Sequence, residues 1–135
     1  HMKTFFAGGF LYNPKTKEVL LHKRDDKTDV NPNMWGFFGG SSENDEIPIQ
    51  TFIREIREEL GIELSEGSII PLCDYLNVKR DTHRYVFYVL SNKKKEEMVL
   101  GEGADFDWIP LANVFSYDLT TKTVDDLRTF LEKKT

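Results

Sequence analysis

Apolar residues follow two different repeats along this chain. Between residues 4 and 12 they form an almost unbroken run, and a second run covers residues 18–24 after a polar turn. Apolar runs of this length, bounded by turn residues, predict the two strands of a hairpin. From residue 48 to residue 60, bulky apolar residues recur at steps of three and four, which predicts one face of a helix.

Signals for both ends of this helix are present in the sequence. Asn44 or Asp45 is expected to cap its first turn, and Pro48 suits that turn because a proline there loses no helical hydrogen bond. Gly61 is placed to end the helix in the left-handed conformation. We therefore predict a helix over residues 48–60.

The rest of the chain alternates between short β-rich runs and polar loops. Further strands are predicted at residues 35–40 (running into a glycine turn), 69–78, 84–90 and 106–109. A helical turn is expected after Pro110, and an amphipathic helix over residues 124–132. Strands before and after a central helix predict an α/β fold with a mixed sheet.

Composition limits the class of protein. The 135 residues suit a single domain over residues 1–135, of which His1 and Met2 are interpreted as an expression-tag remnant. Cys73 is the single cysteine, so an internal disulfide framework is excluded. No apolar run approaches the roughly 20 residues that cross a bilayer, and no signal peptide opens the chain. We expect a cytoplasmic protein with no membrane partner.

The charge is mildly acidic and unevenly distributed. Lysine and arginine number 18 against 23 aspartate and glutamate residues, a net charge of −5 that argues against a nucleic-acid partner. The segment from residue 43 to residue 66 contains eight acidic residues and only two arginines, so this segment alone has a net charge of −6. The acidity therefore points to a local feature.

Three glutamates on the predicted helix are unusual. Glu55, Glu58 and Glu59 stand at positions i, i+3 and i+4, so their carboxylates share one side of the helix and repel one another. Their place near the helix C-terminus adds an unfavourable dipole. A bound Mg²⁺ or Mn²⁺ ion would relieve this repulsion, because both prefer oxygen ligands. The alternative is an acidic surface on which Arg54 pairs with Glu58.

A longer pattern surrounds these glutamates. Gly40 is followed after five residues by Glu46, and after seven more by the segment Arg-Glu-Ile-Arg-Glu-Glu-Leu-Gly-Ile of residues 54–62. This stretch resembles the Nudix box, Gly-x5-Glu-x7-Arg-Glu-U-x-Glu-Glu-x-Gly-U with U a bulky aliphatic residue, at all nine constrained positions. The chain is thereby identified as a member of the Nudix hydrolases, small and similar to MutT.

The resemblance implies a fold and a metal site. The fold is a mixed β-sheet sandwiched between α-helices, and it covers essentially the whole chain. The activity is a Mg²⁺-dependent hydrolysis, with Mn²⁺ as a possible substitute. The implied metal ligands are Glu55, Glu58, Glu59 and the carbonyl of Gly40. Arg54 would orient these glutamates by salt bridging.

Two glutamates are candidates for the general base. Glu58, within the box, is the first choice. Glu102, in the sequence Gly101-Glu102-Gly103 six residues before Trp108, resembles the distal glutamate loop of MutT-type enzymes. The alternative for Glu102 is an ordinary exposed loop residue.

Candidate substrate contacts lie outside the box. Arg24 ends the second strand where similar enzymes hold an arginine against a phosphate, although it could instead pair with Asp25 or Asp26. Trp35 and Phe37 are candidates for stacking on a base. Arg80 flanks a turn and is a further candidate for the phosphates.

The expected reaction is cleavage of a nucleoside triphosphate to a nucleoside monophosphate and pyrophosphate by water that a metal ion activates. The alternative within the family is a pyrophosphatase for a nucleotide sugar, ADP-ribose or a dinucleoside polyphosphate. A third hypothesis is a Nudix module that senses a nucleotide without cleaving it. The partner expected in each case is a small-molecule nucleotide, and the protein is expected to be a monomer or a homodimer.

Overall fold

Within residues 3–134 the fold consists of seven strands and two α-helices, joined by loops and short 3-10 turns. The computed structural model describes residues 3–134, so His1 and Met2, interpreted above as a tag remnant, lie outside the described residues. The strands are β1 (Phe6–Asn13), β2 (Glu18–Lys23), β3 (Trp35–Gly36), β4 (Phe38–Ser41), β5 (Ile69–Asn77), β6 (Thr82–Leu90) and β7 (Asp105–Pro110). The helices are α1 (Pro48–Leu60) and α2 (Thr121–Lys134).

The strands form one mixed sheet in the order β3-β2-β1-β6-β5, with β4 also pairing to β1 and β7 to β2. Strands β1 and β6 run parallel, and every other pairing is antiparallel. The predicted hairpin is confirmed, since Leu11 of β1 lies opposite Leu20 of β2.

A separate apolar core fills each face of the sheet. Because successive side chains of a strand point to opposite faces, β1 supplies both cores. Ala7 and Leu11 join the core beneath α1, whereas Phe10 and Tyr12 join the core beneath α2. The sheet is thus sandwiched between the two helices, and the predicted α/β fold is confirmed.

Helix α1 has the predicted bounds but not the predicted cap. Its N-cap is Ile47, whose backbone amide donates to Oε1 of Gln50 at 3.0 Å. The expectation that Asn44 or Asp45 caps the helix is wrong, because these residues belong to the turn before it, where Asn44 has a positive φ of 51°. At the other end Gly61 adopts the left-handed conformation with φ 67°, as predicted.

The strand predicted over residues 35–40 is divided into β3 and β4, and the predicted glycine turn is wrong. Gly39 and Gly40 lie in β4, opposite Gly8 and Ala7 of β1. Gly39 has a φ of 151°, and a Cβ atom on it would lie 2.5 Å from the Ala7 carbonyl oxygen. The glycines therefore allow the backbones of β1 and β4 to approach closely. Strand β4 also lies beside α1, since its Gly39 amide donates to Glu59.

The second helix is longer than its apolar repeat indicates. It begins at Thr121 and ends at Lys134, where the sequence predicts residues 124–132. Within residues 3–134, neither helix is long and apolar enough to cross a membrane.

Candidate metal and catalytic site

Arg54 is the centre of an ion-pair network between α1 and the loop before it. Its guanidinium binds Glu46 through two nitrogens, Nε to Oε2 at 2.7 Å and Nη2 to Oε1 at 3.1 Å. Its Nη1 donates to Glu55 at 3.2 Å and to Glu58 at 3.1 Å, and its Nη2 donates to the carbonyl of Ser41 at 3.0 Å. One arginine therefore fixes three of the four box glutamates, Glu46, Glu55 and Glu58, relative to the end of β4.

Glu46 anchors the loop that precedes the helix. The hydrogen bonds from Arg54 lower the pKa of the Glu46 carboxyl to about 2 and raise the pKa of Arg54. Glu46 also accepts hydrogen bonds from the Thr51 hydroxyl at 2.9 Å and from the Glu43 amide at 2.8 Å. This glutamate thus supports the loop and holds Arg54 in position.

Glu59 is buried and faces β4. Only 5% of the residue is exposed, and its Oε2 accepts a hydrogen bond from the Gly39 amide at 3.0 Å. Burial, with a further contribution from the charge of Glu55, raises the pKa of Glu59 to about 9. A carboxylate in this position is therefore poorly stabilised by the protein alone.

Glu55 lies against Gly40. A Cβ atom on Gly40 would overlap Oε2 of Glu55, so only glycine leaves room for this carboxylate beside β4. Burial raises the pKa of Glu55, and the charge of Arg54 opposes this shift. Glu58 is the outermost of the three glutamates, with 48% of its side chain exposed.

The donor set suits a divalent cation, although the carboxylates are not gathered as a complete ligand shell. Within residues 3–134, no three side chains of histidine, cysteine, aspartate or glutamate converge as metal ligands. The physical reason is that Arg54 holds Glu55 and Glu58, whereas the Gly39 amide holds Glu59. Buried carboxylates with raised pKa values are nevertheless groups that a cation would stabilise, and carboxylate oxygens suit Mg²⁺.

Glu102 lies on a loop that packs against the C-terminal end of α1. The Gly101 amide donates to the Glu59 carbonyl oxygen at 2.9 Å, and a Cβ atom on Gly101 would overlap the Glu58 carbonyl oxygen. The Glu102 residue is exposed, and its charge contributes to the raised pKa values of Glu55 and Glu59. Two glutamates that are distant in sequence from Glu102 therefore share one electrostatic environment with it.

His22 is a residue of this site that the sequence analysis did not identify. It is 8% exposed, and its Nε2 lies 2.5 Å from the Glu102 carbonyl oxygen. Its Nδ1 lies 3.6 Å from Oε1 of Glu59. In the sequence, His22 stands in an apolar strand with no other residue at the spacing of a metal ligand pair. Its contacts with Glu59 and Glu102 are therefore visible only in the folded structure.

The side chain of Arg24 is hydrogen-bonded to the loop that follows it. Its Nε donates to the Val30 carbonyl at 2.8 Å, and its Nη2 donates to the Thr28 hydroxyl at 3.2 Å. These bonds shape the loop over residues 25–33 that follows β2. Among the described residues, no ion pair joins Arg24 to Asp25 or Asp26.

The candidate aromatic residues lie on the side of the sheet that α2 covers. Trp35 packs edge-on against Tyr117, with ring centroids 5.7 Å apart, and Phe37 packs against Phe10 at 5.1 Å. Both rings are partly buried. Arg80 lies on a different part of the chain, the exposed turn Val78–Arg80 between β5 and β6.

A buried ion pair beside Phe37 was also missed by the sequence analysis. Arg84 of β6 donates from Nε to Oδ2 of Asp126 at 2.9 Å, and Tyr75 donates to Oδ1 of Asp126 at 2.7 Å. The guanidinium carbon of Arg84 lies 4.5 Å above the Phe6 ring and 5.8 Å from the Phe37 ring. Position 126 lies on the apolar face of α2, where a charged residue needs a buried partner. The aspartate at this position was therefore the signal in the sequence for a buried ion pair.

The chain is similar in sequence to proteins of known family. A model of the NUDIX domain matches residues 2–133. The dihydroneopterin triphosphate diphosphatase of Haemophilus influenzae is 27% identical, over 90% of this chain and 83% of that protein. The nucleoside triphosphatase NudI of Escherichia coli O139:H28 is 29% identical, over 81% of this chain and 84% of that protein.

A solved structure has a similar fold. The structure described in a study of MutT from Aliivibrio salmonicida and Vibrio cholerae matches 97% of this chain and 99% of its own chain, with a TM-score of 0.78. The sequence identity is 19%, so this likeness concerns the fold.

Proposed function

The chain belongs to the Nudix family of hydrolases that act on pyrophosphate bonds, and from this premise we propose that it converts a nucleoside triphosphate to a nucleoside monophosphate and pyrophosphate in the presence of Mg²⁺. In this reaction the oxygen of water forms a bond to one phosphorus of the α–β anhydride, and the bond from that phosphorus to the bridging oxygen breaks. The bridging oxygen leaves with the other phosphate, and a proton of the water passes to a carboxylate that acts as the general base.

The observation that carries the proposal is the arrangement of Glu55, Glu58 and Glu59 beside the glycines of β4. Two of these carboxyls have raised pKa values because they are buried beside like charges, and Gly40 leaves the space that Glu55 occupies. A bound divalent cation would stabilise the charged form of these carboxyls, which supports a metal site with these three residues and the Gly40 carbonyl as ligands.

Each residue of the network has a proposed role. When bound, a divalent cation would neutralise the non-bridging phosphate oxygens and make water a better nucleophile at neutral pH. Arg54 orients the glutamates, since its Nη1 holds Glu55 and Glu58 together. Glu46 fixes Arg54 through the two hydrogen bonds between them.

For the general base we propose Glu58, with Glu102 as the alternative. Glu58 is the most accessible of the box glutamates, so its carboxylate can reach a water molecule beside a bound diphosphate. Glu102 is exposed on a loop whose Gly101 contacts the backbone of Glu58 and Glu59, so its carboxylate is also available to a water molecule at this end of α1. The larger loss of turnover, in Glu58→Gln or in Glu102→Gln, identifies the base.

The printed names of the relatives support a triphosphate substrate. The two curated relatives are named as a dihydroneopterin triphosphate diphosphatase and a nucleoside triphosphatase. Trp35 and Phe37 are proposed to face the base, and Arg24 and Arg80 the phosphates. Because Arg24 already bonds Thr28 and Val30, its role would be to shape the loop over residues 25–33 as well as to bind phosphate.

The remaining expectations from the sequence are also proposals. These are one domain over residues 1–135, a cytoplasmic location, a small-molecule rather than a nucleic-acid partner, and a monomer or homodimer. The net charge of −5 supports the choice of partner, because a nucleic-acid surface is usually basic.

The test is a substrate panel with product identification, using the full chain with Mg²⁺, with Mn²⁺ and with a chelator. Release of pyrophosphate and a nucleoside monophosphate supports the proposal. A sugar phosphate or a second nucleotide as product would replace it with the nucleotide-sugar, ADP-ribose or dinucleoside polyphosphate alternative. Tight nucleotide binding without turnover in either metal would instead support a sensing module, and loss of activity in the chelator is expected.

A further inference from the structure

His22 joins two parts of the site that are distant in sequence. It lies in β2, opposite Phe106 of β7 and Gly36 of β3, and its ring stacks on Phe38 with centroids 5.0 Å apart. The backbone of His22 is therefore paired on both edges of β2, and its ring lies against Phe38 of β4. From this position it contacts the backbone of Glu102, 80 residues away in sequence, and faces Glu59.

The direction of the hydrogen bond to Glu102 follows from chemistry. A carbonyl oxygen only accepts, so Nε2 of His22 carries the proton and donates it at 2.5 Å. In the neutral ring Nδ1 is then without a proton, and at 3.6 Å it lies beside Oε1 of Glu59 without a hydrogen bond. The ring thus binds the loop on one side and adjoins Glu59 on the other.

The loop itself is built around this ring. A Cβ atom on Gly103, where φ is 91°, would overlap Nε2 of His22. The Gly101 amide donates to the Glu59 carbonyl oxygen at 2.9 Å, and the Ala104 amide donates to the Lys23 carbonyl oxygen at 2.9 Å. The segment from Gly101 to Ala104 is therefore hydrogen-bonded to α1 at one end and to β2 at the other. The bond between His22 and the Glu102 carbonyl lies between these two contacts.

We propose that His22 is a positioning residue of the hydrolytic site. By donating Nε2–H to the Glu102 carbonyl oxygen, it holds the loop at residues 101–104 against α1 and so keeps the Glu102 carboxylate beside the box glutamates. This role rests on the proposed function, with the Glu102 carboxylate taking part in the reaction beside Glu58, and adds to it a residue outside the box. His22 acts through Glu102 and does not itself touch the substrate.

Two substitutions of His22, one control substitution and Glu102→Gln, alone and combined with His22→Phe, test this role. His22→Phe keeps a ring that can stack on Phe38 but removes the donor, whereas His22→Gln keeps a donor close to the position of Nε2. His83→Phe is the matched control, because His83 pairs with Asp74 at 2.7 Å on an exposed part of β5 and β6. Each variant is measured for kcat, KM and thermal unfolding midpoint, and by amide hydrogen exchange at Gly101 and Ala104 in the metal-free protein.

We expect His22→Phe to lower kcat about tenfold or more with little change in KM, because small displacements of a positioned group cost up to about a hundredfold in rate. Amide exchange at Gly101 and Ala104 should become up to about tenfold faster, the effect of losing one hydrogen bond. His22→Gln should recover most of both properties, and His83→Phe should change neither. Glu102→Gln should lower kcat by itself, and it should cost clearly less in the His22→Phe background than it does alone, because His22 acts through Glu102.

Several outcomes would overturn the proposal. They are unchanged exchange at Gly101 and Ala104 in His22→Phe, full activity of Glu102→Gln, or losses from His22→Phe and Glu102→Gln that simply add. A lower unfolding midpoint in both His22→Phe and His22→Gln, without recovery of kcat in the second, would make His22 merely structural. A parent protein that hydrolyses nothing in the panel would count against the proposed function, whereas the exchange rates report on the loop in either case.

Discussion

The backbone of Gly40 and the carboxylate of Glu55 occupy adjoining space, so that a Cβ atom on Gly40 would overlap Oε2 of Glu55 and lie 2.8 Å from its Cδ. Gly40 pairs with Ala7 in the sheet, and Glu55 belongs to the helix that covers it. The first residue of the box is thus a glycine because a carboxylate of the same box requires that space.

We predict that Gly40→Ala displaces Glu55 without unfolding the protein, because the atoms it meets are the flexible end of a side chain. The expected results are a loss of about ten- to a hundredfold in kcat and weaker Mn²⁺ binding by calorimetry. Gly67→Ala is the matched control, since nothing lies within 4 Å of a Cβ atom there. Full activity in Gly40→Ala would show that the position of Glu55 does not matter.

Glu58→Gln should lose about a hundredfold or more in turnover while the fold survives, because a general base contributes factors of that size and the change removes repulsion in the metal-free helix. The measurements are kcat and the free energy of unfolding in urea. Glu63→Gln, an exposed carboxylate that pairs with Arg57, is the control. Near-normal activity in Glu58→Gln would assign the base to Glu102.

The Glu46–Arg54 pair should make the protein less stable in acid. The pKa of Glu46 is about 2 in the folded state against 4.5 for the unperturbed group, so below about pH 4.5 the unfolded chain takes up the proton first. The free energy of unfolding should therefore fall as the pH drops from about 4.5 to about 2. In Glu46→Gln this part of the pH dependence should be absent, and in Glu63→Gln it should remain; equal slopes in all three proteins would contradict the assignment.

Asp126→Asn should destabilise the fold, because it leaves Arg84 buried without its counter-charge. Loss of one partner of a buried pair typically costs about 3–5 kcal/mol, measured here as the free energy of unfolding in urea. Asp125→Asn, an exposed neighbour on the same helix, should change little. The double variant Arg84→Met/Asp126→Leu should recover much of the loss, and its failure to do so would mean that the pair does more than balance charge.

The central helix and its glutamates were predictable because both depend on local spacing. A period near 3.6 residues sets which side chains share a face, so the bounds of α1 and the common side of Glu55, Glu58 and Glu59 follow from residues 48–60 alone. Gly61 is equally local, since a left-handed residue ends the helix wherever it folds. The N-cap was mispredicted because the turn containing Asn44 competes for the same residues.

The sequence by itself determined the box, its helix and the family to which the chain belongs, because these depend on residue types at fixed spacing. Only the tertiary structure decided that Gly39 and Gly40 form a strand beside β1, and that His22 and Glu102 meet across 80 residues. It also decided that Arg84 and Asp126 pair in the second core. Such contacts depend on which strands become neighbours in the sheet, and no local periodicity encodes that choice.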